Sequence, residues 1–204
     1  MFSYTRFDLA QKQKAIFVHI PRTGGTALSR HFYPHASRMF LPHATASFIS
    51  YHLGEKLWDK MFTFAFVRNP WERIVSWYLF YTTHRTPDHF LPFSDFVKRD
   101  PMIMGSFAHN GWLDSHLWSQ SLFLTSDGSP DGKVMVDFVG KYETFDKDVK
   151  YICDKLELPM ITKEKNATGD SYRYQDFYNE ETKALVAERC KWEIDQFGYK
   201  YEEE

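Results

Sequence analysis

Polar and apolar positions alternate along this chain in two distinct periods. Lys14–His19 and Met61–Val67 are short, continuous apolar runs rich in β-branched and aromatic residues. Runs of that length without alternation suit strands buried on both faces of a parallel sheet. Val134–Tyr142 predicts a third strand. Between the runs the apolar spacing becomes helical, over Thr26–Tyr33, Thr45–Leu53, Asp146–Leu156 and Asn179–Phe197. Another helix opens at Asn69-Pro70-Trp71-Glu72, with Asn69 as N-cap, Pro70 at the first position and Glu72 at the third. Its inward face reads Trp71, Ile74, Val75, Tyr78 and Leu79. Strands alternating with helices predict the α/β class with a parallel sheet.

From Thr82 to Asp131 the periodicity lapses. This loop-rich insert carries one short helix near Ser94–Lys98 and is the expected acceptor surface. No repeat or linker divides the chain, so its 204 residues read as one domain, with a hydrophobic share of 43% that excludes a disordered chain. A net charge of −2 gives no global basic field, so nucleic-acid binding driven by overall charge is not expected. Neither a signal-peptide pattern nor an apolar run of membrane-spanning length is present. The expectation is a cytoplasmic protein with no membrane partner. Cys153 and Cys190, both in helical segments, read as reduced thiols, and no His, Cys or acidic spacing suggests a metal site.

The chemistry concentrates at two places. After the first strand, His19-Ile20-Pro21-Arg22-Thr23-Gly24-Gly25-Thr26-Ala27 turns through two glycines into a helix. Such a turn aims backbone N–H groups and a helix dipole at one point, where phosphate binds. A nucleotide triphosphatase loop needs lysine after its last glycine, but Thr26 follows Gly25 and the cation, Arg22, precedes both glycines. After the second strand, Arg68 sits where ligands bind in open α/β sheets, and Ser76 lies two turns into the next helix. An arginine fork and a hydroxyl suit a second phosphate. A structural salt bridge at Arg68 is the plainer alternative.

These two segments resemble the 5′-phosphosulfate loop and the 3′-phosphate motif (Val67 to Ser76) of sulfotransferases. The similarity is greatest to the branch with Golgi carbohydrate sulfotransferases and bacterial relatives. Supporting likeness extends through Val136–Glu143 and Asp195–Tyr199. The resemblance implies a P-loop-like three-layer fold, a central parallel sheet flanked by helices, and no metal. It also implies 3′-phosphoadenosine 5′-phosphosulfate (PAPS) as donor and sulfuryl transfer to a hydroxyl or amine. Arg22, Thr23, Gly24, Gly25, Thr26 and Ala27 would hold the 5′-phosphosulfate, and Arg68 and Ser76 the 3′-phosphate. The branch leans towards a saccharide acceptor.

Arg22 departs from the family, which carries lysine there. Arginine keeps the charge but is planar and does not release a proton. For the acceptor proton, His43 in Leu41-Pro42-His43-Ala44-Thr45 resembles the position of the family's catalytic base; a helix-capping histidine is the other reading. His19 reads as a packed residue, and His109 and His116 as insert residues that could touch an acceptor. Trp71 reads as adenine stack or core, and Lys163–Gly169 with Tyr172 and Arg173 as nucleotide lid or solvated charge run. Two other functions stay open. One is a sulfotransferase-like binding protein without catalysis, and the other a P-loop kinase, which the missing lysine disfavours.

Overall fold

The computed structural model describes residues 15–25, 27–28, 43–83, 91–99, 119–160 and 172–202. They form two compact units, one from Met1–Val67 with Ser121–Ala167, the other from Arg68–Gln120 with Thr168–Glu204. Thr26, His109, His116, the Lys163–Gly169 segment, most of the insert and most of the helix expected over Thr26–Tyr33 lie outside the described residues.

The first unit holds the sheet: β1 (Ala15–Val18), β2 (Phe62–Val67) and β3 (Phe138–Lys141), all parallel, with β2 in the middle. The apolar runs are trimmed by a residue or two at the first two strands and more at the third, where Val134 instead forms an isolated antiparallel bridge with Thr125. Phe17 and Phe64 are paired across the sheet with rings 5.2 Å apart. They lie in a core with Ala15, Leu28, Phe66, Phe145, Val149, Ile152 and Cys153. The alternate residues Ile16, Val18, Thr63, Ala65 and Val67 are buried as well, as continuous apolar strands require. Entry to β3 is pinned by Asp137, whose Oδ2 accepts both the Thr63 N–H (2.8 Å) and its hydroxyl (2.9 Å). This fixes a register in which a one-residue slip would turn every side chain over.

Helices α1 (Ala46–Leu53), α2 (Glu55–Trp58), α5 (Ser121–Leu124) and α6 (Phe145–Leu156) belong to the same unit. Thr45 caps α1 by accepting the Phe48 N–H at 3.1 Å. The α/β class with a helix-flanked parallel sheet is as expected. No helix among the described residues is long and apolar enough to cross a membrane.

The second unit is helical: α3 (Pro70–Thr83), α4 (Phe93–Lys98), α7 (Glu180–Arg189) and α8 (Lys191–Phe197). Trp71, Ile74, Val75, Trp77, Phe93, Phe96, Val97, Tyr174, Val186 and Cys190 form its core. Trp71 is a core residue, buried edge-on to Tyr201 with its indole N–H donated to the Lys183 carbonyl. The single helix expected over Asn179–Phe197 is divided at Cys190, whose backbone leaves the helical region (φ −107°, ψ 24°). Hydrogen bonds from Cys190 N to Val186 O and from Ile194 N to Cys190 O run through the bend. The apolar periodicity therefore carries across it unbroken, and the pattern alone does not reveal the turn.

Both cysteines are buried thiols. Burial, with Glu193 adding to it, pushes the Cys190 thiol well above its ordinary 9.0. Burial likewise raises the Tyr178 phenol well above 10.0. Its hydroxyl donates to the Trp71 carbonyl at 3.0 Å. Both groups hold protons more tightly when folded, so their stabilising contribution is intact below the unfolded values and is lost as pH rises above them. Each group costs up to about 1.4 kcal/mol per pH unit in that range. The urea midpoint is expected to fall between pH 8 and 10.5, and by less in Tyr178→Phe. An unchanged midpoint would contradict this assignment.

Candidate functional site

In the first unit the chain leaves β1 through His19 and Ile20 and turns at Pro21–Gly24. The Thr23 side chain is fully buried, and its hydroxyl donates to the Ile20 carbonyl at 2.9 Å, closing the turn. Gly24 has φ +82°, a conformation glycine adopts without strain. A Cβ there would also press on Tyr142 and Phe145 at 3.1 and 3.2 Å. Helical structure begins at Gly25, where the Ala27 and Leu28 N–H groups donate to the Gly24 carbonyl at 3.1 and 3.3 Å. A Cβ at Gly25 would overlap the His19 imidazole, which stacks on Phe17. Gly25 is thus required by a histidine, a reason the sequence does not disclose.

His43 comes to the same loop from 24 residues away. Its Nδ1 lies 3.0 Å from the His19 carbonyl oxygen, and the two imidazoles are 4.4 Å apart, centroid to centroid. A carbonyl only accepts, so His43 Nδ1 carries the hydrogen, and in the neutral ring Nε2 is the basic nitrogen. This is the tautomer a proton acceptor needs. Arg22 and His43 both have φ +66°, and Glu157 is the other non-glycine residue with positive φ among those described. Left-handed backbone costs a side chain about 1–2 kcal/mol. Such strain gathers where a fold holds functional groups.

In the second unit Arg68 follows directly on β2. Its guanidinium Nη2 donates to Glu72 Oε1 at 2.6 Å, with the arginine side chain largely buried and Glu72 about a third exposed. Asn69 caps α3 as expected. Asn69 Oδ1 accepts the Trp71 N–H at 3.1 Å and the Glu72 N–H at 3.5 Å. Ser76 is buried one turn beyond Glu72. Glu72 and Ser76 are thus neighbours on one face of α3, and Arg68, just ahead of the helix, reaches Glu72. Of the two readings of Arg68, the salt bridge is the one seen here, with Glu72 as its partner.

The Arg68 backbone is held as well. Its N–H donates to Gln120 Oε1 at 3.0 Å, and its carbonyl accepts from Gln120 Nε2 at 2.9 Å. Glu193, fully buried, takes the Gln120 backbone N–H (3.2 Å) and Nε2 (3.4 Å) on Oε1, and the Ser119 hydroxyl (2.6 Å) on Oε2. Among the described residues, no group of three or more His, Cys, Asp or Glu is placed to hold a metal ion.

Comparison with known proteins decides the family. The family model described as "Sulfotransferase family" matches residues 5–199, nearly the whole chain. The chain belongs to the sulfotransferase family. An uncharacterized protein of Archaeoglobus fulgidus is 33% identical over 124 residues, 59% of this chain and 90% of that protein. No solved structure matches the chain at a significant level. Transfer of sulfo groups is the general activity that sulfotransferase membership supports. Within that frame, sequence reasoning missed three elements: the packing of His19 on Gly25, the Glu72 partner of Arg68, and the Gln120–Glu193 pair. The last of these carries no local sequence signal, since Gln120 and Glu193 meet across 73 positions.

Proposed function

We propose that the chain is one sulfotransferase domain that moves the sulfuryl group of PAPS to an acceptor hydroxyl or amine, on a carbohydrate, in the cytoplasm and without a metal. The observation that supports this reading best is His43, tethered through Nδ1 to the very residue that opens the glycine turn. Proton acceptor and phosphate cradle belong to one compact unit. In the reaction the acceptor oxygen attacks sulfur, and the bond from sulfur to the bridging phosphate oxygen breaks. The acceptor proton goes to His43 Nε2, and 3′-phosphoadenosine 5′-phosphate leaves.

Each site residue has a part in that step. Backbone N–H groups over Thr23–Thr26 meet the 5′-phosphosulfate, while the Ala27 N–H closes the first helical turn onto the Gly24 carbonyl. Thr23 contributes through its N–H, because its hydroxyl closes the turn. Arg22 stabilises the charge that grows on the leaving phosphate, a preorganised electrostatic role. Arg68 and Ser76 take the 3′-phosphate, while Glu72 orients the guanidinium by holding Arg68 Nη2. Residues of the insert supply acceptor contacts.

Incubating the protein with PAPS, EDTA and a panel of polysaccharides, phenols and amines tests the reading. The expected result is 3′-phosphoadenosine 5′-phosphate released in step with sulfated product from a saccharide. Nucleotide binding without transfer to any acceptor would show a non-catalytic binding protein. Consumption of ATP that needs Mg²⁺ would show a kinase.

A further inference from the structure

Gln120 stands to Arg68 as a neighbouring strand would, meeting both its N–H and its carbonyl with one side-chain amide. The orientation of that amide is determined. Only its oxygen can accept the Arg68 N–H, and only its NH₂ can donate to the Arg68 carbonyl and to a carboxylate. Glu193 enforces the same choice, since its Oε1 already accepts the Gln120 backbone N–H and meets the side-chain amide with the same atom. It holds Gln120 at both the backbone and the side chain, and its second oxygen is occupied by Ser119. Gln120 and Glu193 are both fully buried. Burying a carboxylate and an amide is costly unless every polar atom is met, so an apolar pair would fill this space more cheaply. On the other side, Asn69 Nδ2 donates to the Lys200 carbonyl at 3.0 Å. The two residues between β2 and α3 are therefore clamped from both flanks.

We propose that Gln120 and Glu193 are positioning residues for the 3′-phosphate, fixing the backbone from which the Arg68 guanidinium rises. Selection of nucleotides bearing a 3′-phosphate over those lacking it then depends on this buried pair. The inference rests on the assignment of Arg68 to the 3′-phosphate. It assigns to Gln120 and Glu193 no contact with substrate.

The test compares dissociation constants for 3′-phosphoadenosine 5′-phosphate and adenosine 5′-monophosphate by calorimetry. Gln120→Met keeps the side-chain volume and removes the hydrogen bonds. Two lost bonds of ordinary strength should narrow the preference for the bisphosphate by about 5–50-fold. Affinity for the monophosphate should stay within about twofold, the signature of a lost 3′-phosphate contact rather than general damage. A folded Gln120→Met protein that keeps the full preference overturns the proposal. Should that variant not fold, Ser119→Ala removes a single bond to Glu193. It should narrow the preference by about 2–5-fold, and full retention there overturns the proposal equally. If the unaltered protein shows no preference, or Arg68→Ala leaves the preference intact, the assignment of Arg68 itself fails.

Discussion

Replacing His43 by alanine is expected to lower sulfuryl turnover by about 10²–10⁴-fold, the usual contribution of a positioned proton acceptor. Affinity for the nucleotide product should change by no more than about twofold, because in the proposed role the side chain serves the acceptor and not the donor. The expectation comes from one hydrogen bond. Its Nδ1–H is committed to the His19 carbonyl, which leaves Nε2 as the basic atom of the neutral ring. His43→Asn sharpens the test, since its amide can still donate to that carbonyl but offers no comparable base. It should share the turnover loss while keeping the loop intact. Turnover close to that of the unaltered protein in either variant would deny His43 the role, and equal loss of turnover and affinity would make it a structural histidine.

Arg22 carries the second large effect. Its φ of +66° is one that glycine adopts freely and arginine does not. Arg22→Gly should therefore leave stability within about 1 kcal/mol, relief of strain offsetting the added freedom of the unfolded chain. Turnover should nevertheless drop by about 10²–10³-fold, the scale of losing one preorganised charge-stabilising group. Arg22→Lys restores the charge and the family's usual residue, and should retain most of the activity. The paired readout separates the two reasons an unusual backbone residue is kept. Loss of stability together with activity would mean that Arg22 holds the turn, and full activity in the glycine variant would remove it from the chemistry.

Local signals made much of this legible before any coordinates. Ala15–Val18 and Phe62–Val67 lie inside the apolar runs that predict them, and α3 begins where Asn69 and Pro70 mark a cap. The glycine turn was visible because Gly24 and Gly25 follow a strand, and Arg68 because it follows another. What escaped depends on residues far apart in the chain. Gln120 meets Arg68 across 52 positions and Glu193 meets Gln120 across 73. Neither has a periodicity that would single it out. Glu72 was legible as a helix-start residue, but its pairing with Arg68 was not, because the need for a counter-charge appears only once the guanidinium is seen to be buried. His43 was a candidate by likeness alone; the tether to His19 supplies the physical argument.

The central proposal is that the chain binds a nucleotide carrying phosphate at both the 5′ and 3′ positions, with Arg68 meeting the 3′-phosphate. Calorimetric titration with 3′-phosphoadenosine 5′-phosphate tests it most directly. The account expects one nucleotide per chain, with Arg68→Ala weakening it by about 10–100-fold through loss of a charged hydrogen-bond donor. Absence of binding by the unaltered protein, or binding indifferent to Arg68, would contradict it.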